Sequence, residues 1–333
     1  MGDAARPFFP WVGGKEKLAP YIYPVFPPHI TQYTEVFAGS GSILLGMEPK
    51  KGRLDIYNDL DRNLANLLLC VRERPVALIA ELRRRSIQSR TIYKIHQELL
   101  KHEDLHRTFF DCTIRMELEA LEERELFPDQ EAEQLRQMVE GRRDLYDVQR
   151  AAMYLQNIRG SFSGTAKSFG IKPLQTEACI PLIEAASRRL EHVVIECKDC
   201  FQIIRDEDSD SNLFYCDPPY FQAEKHYQAF RQKDIRRFHV RLWRALLACR
   251  SYVVVSYNDC PFIRELYRDF YILAFRRPNS LAKEQGAEYK ELLITNYDPQ
   301  PFLNRQLGLF DGQLDKWELD VVHVPGRPLK IVS

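Results

Sequence analysis

Tyr33-Thr34-Glu35-Val36-Phe37-Ala38-Gly39-Ser40-Gly41-Ser42 decides how this chain is read. The first half of the stretch has strand composition, the glycines make a turn, and a helical pattern follows from about Ile43. Next come Arg53-Leu54-Asp55-Ile56-Tyr57, a short strand closing on Asn58-Asp59, and a helix from Asn63 with Leu64, Leu67 and Leu68 on one face. Strand, glycine turn, helix, strand, acidic residue, helix is the opening of a parallel α/β unit. The pattern resumes much later, with strands predicted at residues 192–196, 213–216 and 251–256 and a closing pair at 270–273 and 291–295. About seven strands with intervening helices predict a doubly wound, mostly parallel α/β sheet.

Between Pro75 and Pro181 the strand signal fades and helical patterns dominate, at 76–85, 93–100, 110–126, 130–140 and 146–158. The stretch is too long for a loop and reads as an inserted, mainly helical subdomain. The expected organisation is a discontinuous domain at 1–74 and 181–298, a helical insert at 75–180, and a tail at 299–333 draped over the surface.

Composition sets further bounds. The 333 residues are 45% hydrophobic, enough for a sizeable core, which excludes disorder as the main state. The longest apolar runs, such as Val253-Val254-Val255, fall far short of the roughly 18–20 residues of a membrane helix. Met1 to Pro10 lacks the pattern of a secretory signal, and eight scattered cysteines read as reduced thiols, so a cytoplasmic protein is expected. Lys and Arg number 47, as do Asp and Glu, so the net charge is zero. That excludes a generally basic nucleic-acid binder; contact with DNA would need a local patch.

The strongest chemical signal is Asp217-Pro218-Pro219-Tyr220, directly after the strand 213–216. Ligands of open α/β sheets sit beyond the carboxyl ends of the strands. Two prolines there stiffen the backbone and leave carbonyls with no competing N–H. The arrangement suits alkylation of an exocyclic amine on a base, a poor nucleophile because its lone pair is delocalised into the ring. The Asp217 carboxylate and the Pro218 carbonyl can each take one N–H, and Tyr220 can stack on a base flipped from its duplex. Gly39-Ser40-Gly41 lacks a third glycine at dinucleotide spacing and so favours a compact nucleoside-type ligand. Asp59 ends the second strand, where an acid can accept from ribose hydroxyls, and Asp199 lies just past the third.

Taken with their order, these residues resemble the Dam-like (D12 class) S-adenosylmethionine-dependent DNA adenine-N6 methyltransferases. The resemblance rests on Trp11-Val12-Gly13-Gly14-Lys15, Phe37-Ala38-Gly39-Ser40-Gly41, Asn58-Asp59-Leu60-Asp61, Lys198-Asp199, Asp217 to Tyr220, Ser256-Tyr257-Asn258-Asp259 and Glu291-Leu292-Leu293-Ile294-Thr295-Asn296-Tyr297. It implies a seven-stranded methyltransferase sheet in which the insert 75–180 recognises the DNA target. It also implies that Trp11 and Lys15 hold the methionine end of S-adenosylmethionine, Phe37, Gly39 and Gly41 shape its pocket, Asp59 binds its ribose and Asp199 its adenine amine. Asp217, Pro218, Pro219 and Tyr220 would be catalytic, with no metal. Tyr154 to Gly164 echoes the family's Asn…Phe-x-Gly loop. The continuation from Thr165 to Pro173 is shorter than the usual recognition hairpin, so a four-base target site is not carried over.

DNA phosphates would be met by Arg90, Lys94, Arg159, Ser161, Lys167 and Lys172, in stretches of local positive charge. The acidic run from Glu117 to Glu133 would face away from DNA, giving the neutral chain a basic side and an acidic back. The alternatives are methylation of cytosine N4 or of RNA adenine, and a non-catalytic DNA- or clamp-binding module on the same fold. Gln306-Leu307-Gly308-Leu309-Phe310 resembles the peptide by which bacterial DNA enzymes dock on the replication sliding clamp, although short motifs often match by chance and an apolar turn packed on the domain is the favoured reading. An expected nucleoid-associated location in bacteria or phage-infected cells comes from the same resemblance. Cys197 and Cys200 lack a second pair at zinc spacing, and His96, His102 and His106 read as solvated surface residues.

Overall fold

The computed structural model describes residues 4–84, 90–101, 133, 147–161, 176–221, 232–278, 288–306 and 319–326. Its strands are β1 (Gln32–Glu35), β2 (Leu54–Asn58), β3 (Val193–Glu196), β4 (Asn212–Cys216), β5 (Tyr252–Asn258), β6 (Tyr271–Pro278), β7 (Glu288–Thr295) and β8 (Leu319–His323). The helices are α1 (Ala19–Ile22), α2 (Ser42–Gly46), α3 (Arg62–Glu73), α4 (Pro75–Arg84), α5 (Arg90–Lys101), α6 (Val148–Arg159), α7 (Thr176–Leu190), α8 (Cys200–Asp206), α9 (Gln232–Ala248), α10 (Pro261–Leu266) and α11 (Gln300–Gln306). Two compact units divide the chain. The first comprises Met1–Ala4, Lys15–Leu60 and His192–Ser333, the second Ala5–Gly14 and Asp61–Glu191.

In the first unit all eight strands form one sheet, in the order β3-β2-β1-β4-β5-β7-β6-β8. The pairs from β3 through β5 are parallel; β7 joins β5, β6 joins β7 and β8 joins β6 antiparallel. Among the parallel strands, chain order runs outward from β1 to β3 on one side and from β4 to β5 on the other, so the switch point, where ligands bind in such sheets, lies between the carboxyl ends of β1 and β4. Every residue of β4 and β5 is buried, as expected of strands covered on both faces. Phe214, Val253, Val255, Leu242, Leu246, Ile203 and Ile263 belong to one contiguous core joining β4 and β5 to α8, α9 and α10. Each such side chain contributes about 1.5–3 kcal/mol on burial.

The seven expected strands are present, and the described residues add an eighth. The tail supplies β8 and α11 rather than only draping over the surface, and Phe302 of α11 is buried. Leu319-Asp320-Val321-Val322-His323 has no apolar run to announce a strand; it pairs at the sheet edge with alternating partial exposure and an irregular register against β6.

In the second unit the described elements are helices α3 to α7, and residues 5–14 form no helix. Asp61 caps α3, its carboxylate accepting from the backbone N–H of Asn63 and Leu64 at 2.9 and 3.4 Å and from the Tyr154 hydroxyl of α6 at 2.6 Å. Leu64, Leu67, Leu68 and Val71 form the buried face of α3. α7 runs through Pro181 without a break, and the division of the chain falls at Glu191 instead. His96, expected to be solvated, is buried together with Tyr93, three residues away on the same face of α5. On the exposed surface Arg83 pairs with Glu177 at 3.0 Å. His102, His106 and, except for Glu133, the acidic run lie outside the described residues. Among the described residues no helix is long and apolar enough to cross a membrane.

Candidate active site

Beyond β1, the chain turns through Gly39 and Gly41, both in the left-handed region at φ +53° and +64°. A Cβ at Gly41 would meet the Tyr57 ring at 3.4 Å, an ordinary contact, so it is the left-handed backbone that requires glycine there. It is held on three sides. The Gly39 N–H donates to Asp59 Oδ2 at 2.9 Å, the Tyr57 hydroxyl donates to the Gly39 carbonyl at 2.6 Å, and the Gly41 N–H donates to the Ala38 carbonyl at 2.7 Å. Buried Glu35 at the end of β1 accepts from the Leu44 N–H at 2.8 Å, fastening the strand to α2. Asn58 ties β2 to the segment after β3: its Nδ2 donates to the carbonyls of Val36 and Lys198, and its Oδ1 accepts from the Lys198 N–H.

Asp217 follows β4 across the switch point from this turn. Both of its carboxylate oxygens are gripped. Lys15 Nζ donates to Oδ2 at 2.6 Å, and Ser256 Oγ donates to Oδ1 at 2.8 Å. Lys15 is only 4% exposed and Asp217 18%, so the pair is mostly withdrawn from water. The backbone of Lys15 is fixed as well, by its N–H on Ser42 Oγ and its carbonyl at the start of α1. The same ammonium lies over the Tyr220 ring, 4.9 Å from its centroid. The Tyr220 hydroxyl donates to Glu291 Oε2 at 2.9 Å, and Tyr257 packs beside the ring at 6.1 Å. Burial first, and then the charges of Asp217 and Glu291, push the Tyr220 hydroxyl well above its usual range, so it stays a donor.

Of the residues expected at the site, Lys15, Asp217 and Tyr220 meet directly, and Gly39 meets Asp59. Asp199 is exposed and caps α8 through the Phe201 N–H at 2.9 Å. Phe37 is half-buried and meets Phe238 edge-on. Trp11 belongs to the second unit, where its ring meets Phe9. Arg90 and Lys94 are exposed, whereas Arg159 donates to the Phe8 carbonyl and Ser161 to the Ile158 carbonyl. Lys167, Lys172, Leu307, Leu309 and Phe310 lie outside the described residues, as does the Gln306 side chain. Cys200 is buried, which pushes its thiol up to about 12, with the charge of Asp199 adding to the effect; Cys197 is exposed. Among the described residues no group of three or more His, Cys, Asp or Glu could hold a metal ion.

Over residues 11–278 the chain matches the family of D12 class N6 adenine-specific DNA methyltransferases. The chain belongs to that family. No curated protein matches the chain. This methyltransferase is thus an enzyme that methylates adenine at N6, and DNA is its substrate; cytosine N4, RNA and a non-catalytic module are set aside as readings of the chain.

Three side chains that join this cluster were not assigned from sequence: Ser256, Tyr215 and Glu291. Ser256 and Glu291 do stand in segments that carry the family resemblance, and that was the available signal. Their tasks were not legible, because the bonds span 39 residues from Ser256 to Asp217 and 71 from Glu291 to Tyr220.

Proposed function

We propose that this DNA adenine methyltransferase uses S-adenosylmethionine, bound at the carboxyl ends of β1, β2 and β3, and that Asp217 and Pro218 accept the amine of a flipped adenine. The donor set fits such a ligand. Carboxylates of Asp59 and Asp199 follow β2 and β3, a left-handed glycine turn follows β1, and half-buried Phe37 offers an apolar ring. Hydroxyls of a ribose and an exocyclic amine are donors, and carboxylates at these positions accept from them. When bound, the cofactor's sulfonium supplies an electrophilic methyl group.

The residues of the chain activate the nucleophile. Adenine N6 inside a duplex is stacked and paired, so the base must leave the helix to be reached. Asp217 takes one amine proton as a hydrogen bond and the Pro218 carbonyl takes the other, which draws the nitrogen toward tetrahedral geometry and offsets the charge that develops on it. Tyr220 bounds the base, and its hydroxyl on Glu291 fixes the plane of the ring. Lys15, assigned by resemblance to the methionine end of the cofactor, donates to Asp217, and an ammonium has three N–H donors with which to serve the cofactor carboxylate as well. Target recognition is assigned to the second unit, with exposed Arg90 and Lys94 on phosphates.

The observation that carries this reading is the Asp217 carboxylate, fixed at both oxygens at the switch point. In Asp217→Ala, transfer of labelled methyl groups to DNA should fall by more than about a hundredfold, the scale for losing a preorganised polar contact to the reacting group. S-adenosylmethionine binding measured by calorimetry should persist. Turnover close to wild type, or the absence of binding by the wild-type protein, refutes the reading.

A further inference from the structure

Ser256 and Tyr215 form a hydrogen-bonded file that ends on the catalytic carboxylate. In the parallel pair of β4 and β5, Tyr215 stands opposite Val254 and Cys216 opposite Val255. Asp217 and Ser256 are the next residues along each strand. The two-residue period of a strand puts Tyr215 and Asp217 on one side of β4 and turns Ser256 to the same side of β5. The distances agree: 3.0 Å from Tyr215 Oη to Ser256 Oγ and 2.8 Å from Ser256 Oγ to Asp217 Oδ1.

Donor count fixes the direction of the file. The carboxylate of Asp217 can only accept, so the single hydroxyl proton of Ser256 goes to Oδ1. Ser256 Oγ is then an acceptor, and Tyr215 must donate to it. Burial and the nearby charge of Asp217 hold the Tyr215 hydroxyl well above its ordinary range, so its proton stays in place. Both residues are 1% exposed, so their hydroxyls are withdrawn from bulk water. With Lys15 on the other oxygen, the plane of the carboxylate is set before any substrate arrives, and each oxygen keeps lone-pair capacity for a further donor.

We propose that Ser256 is a positioning residue that holds the Asp217 carboxylate in the orientation in which it accepts the adenine amine, and that Tyr215 sets the direction of the Ser256 hydrogen bond. This rests on the reading of Asp217 as the amine acceptor. Ser256 acts through Asp217, so its loss must slow methyl transfer without weakening the capture of cofactor or DNA.

The test compares S256A, S256T, Y215F and D217A in single-turnover methylation of duplex DNA, with S-adenosylmethionine and DNA affinities and melting temperatures measured alongside. S256A should slow transfer about tenfold to a hundredfold, the worth of a hydrogen bond to a charged group, with both affinities unchanged. S256T keeps the hydroxyl and should recover most of the rate. Y215F should slow transfer about twofold to tenfold, the worth of a neutral bond. Transfer at the wild-type rate in S256A overturns the proposal, as does a Thr variant that folds normally and is as slow as S256A. If S256A does not fold, Y215F decides: slowed transfer with normal melting supports the file, and a wild-type rate overturns it. Turnover retained in D217A defeats the reading of Asp217 itself, whereas an inactive D217A beside a fully active S256A defeats only the Ser256 assignment.

Discussion

Replacing Lys15 with methionine keeps a long unbranched stem and removes the ammonium that touches both Asp217 and Tyr220. The carboxylate then retains Ser256 but loses its counter-charge 2.6 Å away, and the Tyr220 ring loses its cation at 4.9 Å. Removing one partner of a fully buried ion pair costs about 3–5 kcal/mol. Asp217 is 18% exposed, so water recovers part of that, and about 1.5–2 kcal/mol is the fitting scale for the lost charged hydrogen bond. The contact with the ring adds about 0.5–1 kcal/mol. A total of about 2–3 kcal/mol lowers the melting temperature of a unit this size by roughly 4–12 °C. The sign of the second substitution is the sharper test. In K15M the damage is an uncompensated charge, so adding D217N, which neutralises that charge, should raise the melting temperature of K15M rather than lower it further. Calorimetric melting of wild type, K15M, D217N and K15M/D217N closes the cycle. Additive losses, or K15M melting with the wild type, would refute the account of the pair.

Two further outcomes concern groups away from the reacting atoms. His239 donates or accepts through Nδ1 with the Tyr257 hydroxyl at 2.9 Å, and burial lowers its pKa from 6.5 to about 4. The folded state resists protonation, so the stability from neutral His239 is complete above about pH 6.5 and is lost as pH falls toward about 4, amounting to about 2 kcal/mol near pH 5. Urea unfolding near pH 7 and near pH 5 should show a smaller loss in H239Q than in wild type, and equal losses would count against it. In the second unit, D61A removes the cap of α3 and the acceptor of Tyr154, costing about 2–3 kcal/mol, while D61N keeps one oxygen for the cap, loses the acceptor of the Tyr154 hydroxyl, and should cost less than D61A in chemical denaturation.

The expected strands on either side of the switch point were legible because parallel strands buried on both faces read as short continuous apolar runs. Val253 to Val255 is an example, within a strand that is buried throughout. The tetrad Asp217 to Tyr220 was legible as well, since a rigid Asp-Pro-Pro at the end of such a strand has few structural uses. β8 was not: an edge strand with alternating partial exposure has no run to detect, and its existence depends on the free edge of β6. His96 was misread because two turns of a polar helix do not reveal which neighbour will cover one face. Lys15 was assigned a ligand as its partner, while the chain itself supplies Asp217, 202 residues away.

The sequence alone determined the α/β class, the glycine turn after the first strand, the acids that follow the next two strands, and the place of the Asp217 to Tyr220 tetrad after a buried strand, because each is written in neighbouring residues with a local physical meaning. The tertiary structure decided what holds those groups. Lys15, Ser256, Tyr215 and Glu291 reach the tetrad only because β1, β4, β5 and β7 lie where the sheet order puts them. Hydrogen-bond direction and ion pairing depend on distances between segments far apart in the chain, and only the packed sheet sets those distances.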